Sequence, residues 1–266
     1  MARTILTDEH WSRLKPILLA ESIYDKSDLR LTVEGMLYRM RVGCPWRDLP
    51  GFFGSWNMVY KRFRAWCQSG KWWRVAKALI SDPDLEWAFI DGTYAKAHQH
   101  SAGAIGPSPQ AIGKSRAGLT TKLHLAVDAY GLPIEFRITG GQVHDCVVAP
   151  VLIAQLRDAQ AIVGDKGYDS LRIRARIEAQ GSQCVIPRKR NSVQGNDDLD
   201  RGAYRDRHLV ENAFARLKQY RALACRFNKL KKTTKVWSLW LACSCGYPCE
   251  TATGPSPALK DCPVTA

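Results

Sequence analysis

The sequence predicts an α/β protein in two textures, a small all-α region over residues 1–80 and a mixed sheet with flanking helices over 85–230. Three observations predict it. Apolar residues recur at helical spacing in the first part, and beyond Asp84 they alternate or form short continuous runs. Those runs come as three closely spaced strands, followed by helices and strands in alternation.

In the first part, Thr7 precedes DEHWSRLKPIL, where Trp11, Leu14 and Leu18 recur at i, i+3 and i+7, and its hydroxyl is placed to cap that helix. LTVEGMLYRMRVG sets Val33, Met36, Leu37 and Met40 on one stripe. CPWRDLPGFFG is a turn punctuated by Pro and Gly. Ser55 then precedes WNMVYKRFRAWCQSG, whose Val59, Phe63 and Trp66 form a stripe while Lys61, Arg62 and Arg64 lie off it. Helix, turn and basic amphipathic helix is the order of a helix-turn-helix DNA reader, and a plain helical bundle with a basic surface fits the same pattern.

SDPD at 81–84 marks the boundary. EWAFIDGTYAKAH is an apolar run entering Asp91. GLTTKLHLAVDAYG alternates Leu123, Leu125 and Val127 and ends in a Gly turn, and LPIEFRITGG follows as the second arm of a hairpin. HDCVVAPVLIAQL reads as a helix, AIVGDKGYDS as a short buried strand ending at Asp165, LRIRARIEAQG as a helix with a Gly stop, and CVIPR as a strand. Residues 101–118, rich in Gly, Pro and Ser, are expected to carry no core, and 189–203 form a polar loop. YRDRHLVENAFARLK (204–218) closes the region as an amphipathic helix. Three antiparallel strands followed by α/β crossovers is the order of the ribonuclease H-like fold.

Composition narrows the function. Hydrophobic residues are 45% and charged residues 24% of 266, ordinary for a globular protein. The charge balance is not ordinary. Lys and Arg number 39 against 25 Asp and Glu, a net charge of +14 that calls for an anionic partner, nucleic acid first. The positive charge is spread along the chain, which argues against a membrane surface. No signal-type stretch opens the sequence and no run reaches the ~18 apolar residues of a membrane span, so a cytoplasmic location is expected. Nine cysteines at irregular spacing fit reduced thiols.

Asp91 and Asp165 each close an apolar strand, with a Gly within two residues. Either alone reads as a turn cap. If the first and fourth strands lie side by side under the last helix, Glu211 joins them. Three carboxylates that close repel one another unless hard divalent cations intervene. Two such ions serve in-line phosphoryl displacement, for which a basic protein and a polyanionic substrate are natural partners. On that last helix Tyr204, Arg207, Glu211 and Lys218 share an arc of roughly 60° beside the stripe of Leu209, Val210, Ala213, Phe214 and Leu217. A solvated face with an Arg207–Glu211 pair worth ~0.3–0.5 kcal/mol fits the arc as well.

Asp91 in IDGT, Asp165 in GDKGYDS, and Tyr204, Arg207, Glu211 and Lys218 with gaps of two, three and six resemble the DDE transposases of bacterial insertion sequences. The resemblance is to the insertion-sequence-five family and its relatives, the group with a Y-R-E-K signature. GCPWRDLPGFFGSWNMVYKRFRAW, GLTTKLHLAVDAYGLPIEFRITGGQVHD and HLVENAFARLKQYR extend it, so that it runs from residue 5 to residue 230. It implies that Asp91, Asp165 and Glu211 are catalytic and bind two Mg²⁺ or Mn²⁺ ions. It implies phosphate contacts for Tyr204, Arg207 and Lys218, and a DNA-end-binding helical region to which Lys61, Arg62 and Arg64 belong. The implied reaction cuts the element's end to expose a 3′-OH, which then attacks target DNA with no covalent enzyme–DNA intermediate. The implied partners are double-stranded DNA, both terminal inverted repeats and target, and a second copy in a synaptic dimer or larger assembly at the nucleoid. A ribonuclease H-like nuclease without strand transfer would need no Y-R-E-K set, and a DNA-binding regulator built on the helical half would leave Asp91 idle.

Residues 231–266 depart from the family pattern and carry Cys243, Cys245, Cys249 and Cys262 among Pro and Gly. The spacing C-x-C-x₃-C lacks the paired C-x₂-C form of common zinc sites. The tail reads instead as an out-of-frame or decayed, disordered terminus, which would leave the catalytic set in an inactive copy. His98, His100 and the His144–Asp145 pair read as phosphate contacts or polar loop positions rather than as zinc ligands.

Overall fold

In the computed structural model, which describes residues 4–80, 83–101, 110–231 and 233–234, four helices come first. α1 (Asp8–Ala20) starts at Thr7, whose hydroxyl accepts from the His10 amide at 3.1 Å, as expected of its cap. α2 (Leu29–Val42) stops at Gly43, held at φ 76°, a left-handed conformation that suits glycine. Two short 3-10 turns lead to α3 (Trp56–Gln68), and α4 (Lys71–Ala78) follows. Ser55 stands at the N-cap of α3 without making a capping bond. Leu14, Leu18, Val33, Met36, Leu37, Met40, Val59 and Phe63 are buried, so the helical stripes face inward.

The rest of the chain is β1 (Trp87–Ala97), β2 (Gly113–Ser115), β3 (Gly118–Val127), β4 (Pro133–Gly140), α5 (Asp145–Ile153), β5 (Ala161–Gly164), α6 (Leu171–Ala179), β6 (Gln183–Val185), α7 (Arg201–Arg205), α8 (His208–Lys218), α9 (Arg221–Ala224) and β7 (Cys225–Arg226). Across the sheet the main strands lie in the order β4, β3, β1, β5, β6. β3 runs antiparallel to β1 and β4, whereas β5 and β6 are parallel to β1. Parallel neighbours need crossovers, and α6 supplies the one between β5 and β6. One reversed strand in that order is the ribonuclease H-like topology. β2 against the start of β3 and β7 against the end of β1 are two short additions the sequence does not announce.

Alternation along the strands assigns each residue to a face. Phe89, Leu123, Leu125, Phe136 and Val163 point into a cluster shared with the buried residues of α1 to α4 and α8. Ala88, Ile90, Ala126 and Ile162 point into a second cluster completed by α5 and α6. The change of texture at 81–84 is therefore not a break in packing, because the helical layer and the sheet share one core. A polar clasp adds to it, since the buried Arg39 of α2 donates to Asn228 Oδ1 at 3.1 Å.

The expectation that 101–118 carries no core needs correcting. Ser101 and Ala111 are buried. Arg226, itself buried, donates to the carbonyl oxygens of Gln110 at 2.6 Å and Ala111 at 2.8 Å, and to the Thr121 hydroxyl at 2.6 Å. Those bonds satisfy backbone groups that a buried loop would otherwise leave unpaired. Among the described residues, no helix is long and apolar enough to cross a membrane. The cysteines at 243, 245, 249 and 262, with the rest of the tail from 235 on, lie outside the described residues.

Candidate active site

The pairing of Ile90 with Gly164 in the parallel β1–β5 ladder puts Asp91 and Asp165 at neighbouring positions on one face. β5 ends there, while β1 continues, with Asp91 opposite Leu125 of β3. Asp165 also caps the turn Lys166–Tyr168, accepting from the Gly167 amide through Oδ1 at 2.8 Å. Turn cap and site residue are thus one side chain. Asp91 Oδ1 accepts from the Gly92 amide at 2.7 Å.

Burial pushes the Asp91 carboxyl up to about 6, the Gly92 amide and Arg207 hold it down in part, and the charges of Asp165 and Asp145 add to the rise. Tyr168 lies fully buried behind the site, its phenol pushed well above the ordinary value by burial and then by Asp145, Asp91 and Asp165.

The helix expected over 204–218 is two helices. Between α7 and α8 the backbone closes i→i−3 bonds, from Arg207 N to Tyr204 O at 3.2 Å and from Val210 N to Arg207 O at 3.3 Å. Tyr204 thus belongs to α7, where it packs half-buried against the core and lies close enough to Arg207 to act on its charge. Arg207, Glu211 and Lys218 do share the side facing β1. Arg207 Nη1 lies 3.3 Å from Asp91 Oδ2 while its Nη2 contacts Glu211 Oε1, and Lys218 Nζ donates to Thr93 Oγ1 at 2.7 Å.

Among the described residues, no group of three or more His, Cys, Asp or Glu side chains stands close enough to hold a metal ion. Asp91 and Asp165 are neighbours, and Arg207 bridges Asp91 to Glu211, its guanidinium paired with both. The donor chemistry still fits a hard divalent cation, with only carboxylates in the set and a part-buried Asp91 raised by burial and then by the like charges of Asp165 and Asp145.

Of the basic residues on α3, Lys61 and Arg64 are exposed. Arg62 is not free for a ligand, being paired with Asp28 at 3.0 Å and donating to Thr32 Oγ1 at 2.6 Å. His98 and His100 stack on each other with centroids 4.9 Å apart. His144 stands at the N-cap position of α5. Asp145 is no loop position. It is paired to the buried Lys122 at 2.6 Å, and sequence reasoning missed it. The signal was a Lys and a His inside the apolar strand TTKLHLAV, which burial obliges to find a polar partner.

Residues 83–245 match the family "Transposase DDE domain", and residues 6–76 match "Putative transposase of IS4/5 family". The chain is 36% identical over 114 residues to the "Putative transposase for insertion sequence element IS6501" of Brucella ovis, covering 42% of this chain and 85% of that one. It is 33% identical over 102 residues to "Uncharacterized protein y4sN" of Sinorhizobium fredii, covering 37% and 82%. Among solved structures, "Crystal structure of a pre-cleavage Mos1 transpososome" is similar at 11% identity and a TM-score of 0.29, over 84% of this chain and 81% of that one. It adds nothing to the topology already described. With more than half of its length matched by the family, the chain belongs to the DDE transposases of insertion sequences.

Proposed function

We propose that this transposase cuts DNA at the ends of its element and joins the freed 3′ ends to target DNA, with Asp91, Asp165 and Glu211 as its catalytic carboxylates. The observation that carries the reading is the neighbouring placement of Asp91 and Asp165 at the sheet centre, with Arg207 and Lys218 leaning over the same face. Mg²⁺ or Mn²⁺, two ions held by the three carboxylates, would supply activation of the attacking oxygen and stabilisation of the leaving one.

The chain's own residues do the rest. Asp91 and Asp165, fixed by the Gly92 and Gly167 amides, set the metal-binding edge. Arg207 neutralises Asp91 and Glu211 while DNA is absent, and a DNA phosphate would draw the guanidinium away and leave Glu211 free to complete the ligand set. Lys218 and Tyr204 would contact phosphates near the scissile bond. Lys61 and Arg64 on the exposed side of α3 would hold the duplex of the terminal repeat. Pairing of two ends calls for at least a dimer.

The test is cleavage and strand transfer on DNA carrying an element end, with binding followed separately. Asp91→Asn, Asp165→Asn and Glu211→Gln should each lose at least ~10³-fold in rate with end binding retained. Undiminished cleavage by either aspartate variant would overturn the assignment, and cleavage without joining would leave a nuclease.

A further inference from the structure

The residue after Asp91 is a glycine, and the reason lies on the other face of the strand. Gly92 is not among the glycines at positive φ, so its backbone conformation alone does not demand glycine. Space does. A Cβ built on Gly92 would stand 2.4 Å from Asp145 Oδ1 and 3.1 Å from Lys122 Cε. Asp145 is tethered through its other oxygen and faced by an imidazole. Lys122 Nζ donates to its Oδ2 at 2.6 Å, and His124 Nδ1 faces its Oδ1 at 3.4 Å. His124 is pinned in turn by Thr139 Oγ1, 2.8 Å from Nε2, and Lys122 lies over the Tyr94 ring at 4.9 Å.

Register explains how these groups meet. Gly92 pairs with His124 and Tyr94 with Lys122 across β1 and β3, and Lys122 pairs with Thr139 of β4. Asp145 enters from the first residue of α5. Four elements thus converge beneath Gly92, and nothing in the proposed chemistry uses them. A buried ion pair is seldom the best stabiliser, since apolar residues of similar volume often do as well. What the pair supplies instead is an oxygen at a fixed place against the Gly92 α-carbon. The amide of that same residue orients the Asp91 carboxylate from the opposite side, at 2.7 Å.

We propose that Asp145, clamped by Lys122 and His124, is a positioning residue that presses on the reverse of Gly92 and so fixes the Asp91 carboxylate. This inference rests on the proposed role of Asp91 as a metal-binding carboxylate. A shift of a few tenths of an ångström at Gly92 would move both the Asp91 backbone and the amide that aims its oxygen, and metal sites tolerate such shifts poorly.

The experiment is Mn²⁺ binding to the full chain without DNA, read by electron paramagnetic resonance, with Asp91→Asn marking the site. Gly92→Ala, which changes no charge, should weaken Mn²⁺ binding by about tenfold or more. The same substitution should cost less than about threefold on an Asp145→Ser background, or on Lys122→Met/Asp145→Ala, because the atom facing the new methyl is gone. Comparison within each background cancels the long-range effect of the lost charge. An equal loss on every background overturns the positioning role. Should Gly92→Ala alone fail to fold, Asp145→Ser should restore its thermal transition and its Mn²⁺ affinity together, and failure to restore them also overturns it. Wild type and Asp91→Asn binding Mn²⁺ alike would instead bring down the metal role of Asp91, and this inference with it.

Discussion

Strand β1 carries charged groups on both faces, and the two clusters are built on opposite principles. In front, one guanidinium serves two carboxylates, and the Arg207 and Glu211 side chains are 22% and 52% exposed. Asp91 there is raised to about 6, chiefly by burial. Behind, the partners Lys122 and His124 are 6% and 0% exposed, while the two aspartates are alike, Asp145 at 23% and Asp91 at 19%. Burial raises Asp145 too, but His124 and Lys122 outweigh it and leave the carboxyl below its ordinary value. The raised carboxyl is one that burial disfavours in its charged form and that a bound cation would favour. The lowered one marks a pair already matched, suited to holding a backbone still.

The largest expected difference between them is in stability. Lys122→Met leaves the part-buried Asp145 with only His124, and should cost about 2–3 kcal/mol in chemical denaturation. Arg207→Met breaks contacts that reach solvent, and should cost less than ~1 kcal/mol. Equal losses would erase the distinction between a structural and a functional face.

Acidity should separate the faces by sign, in buffer free of divalent ions. The folded value of Asp91, about 6, lies above its ordinary 3.8, so its contribution is fully present below pH 3.8 and is lost as pH rises through 6. About two units correspond to ~3 kcal/mol at most, and partial exposure reduces this to ~1–2 kcal/mol. Asp91→Asn should therefore match the wild type near pH 3.5 and exceed it at pH 7, as thermal melts would read. Asp145 runs the other way. Its folded value lies below 3.8, so its contribution is present above that pH and is lost as pH falls through the folded value. Lys122→Met/Asp145→Ala should then lose less than the wild type on acidification. A shared sign for the two aspartates would contradict the contrast.

How much of this was legible in the sequence depends on range. Strand order and the placement of Asp165 at a strand end follow from alternation, apolar runs and Gly punctuation, all local signals, whereas Asp91 lies within β1, which runs on to Ala97 because β3 pairs with it throughout. The break between α7 and α8 does not, because the apolar stripe of Leu209, Val210, Ala213, Phe214 and Leu217 reads the same whether or not Tyr204 is joined to it by regular helix. The shared core of helical layer and sheet, and the burial of Ala111 under Arg226, depend on partners more than a hundred residues apart in the chain, which no local pattern encodes. Asp145 falls between. Lys122 and His124 announced that a partner was needed, but only the fold says that it comes from α5 and lands on Gly92.

The smallest stability effect belongs to α3, where it sharpens the same separation of ligand-facing from fold-serving charge. Lys61 and Arg64 are exposed, so Lys61→Ala/Arg64→Ala should change stability by less than ~0.5 kcal/mol. If each neutralises one phosphate of the bound duplex, the slope of log affinity against log salt should become shallower by about 2. Arg62 stands between them in the sequence but turns to Asp28 and Thr32. Arg62→Ala should therefore cost up to ~1 kcal/mol of stability and leave the salt slope where it was. A slope lost with Arg62 and kept without Lys61 and Arg64 would mean that DNA reorganises α2 and α3 to expose the paired arginine. In that case the helical layer would respond to its ligand as the Arg207 contact is proposed to do, by exchanging a carboxylate for a phosphate.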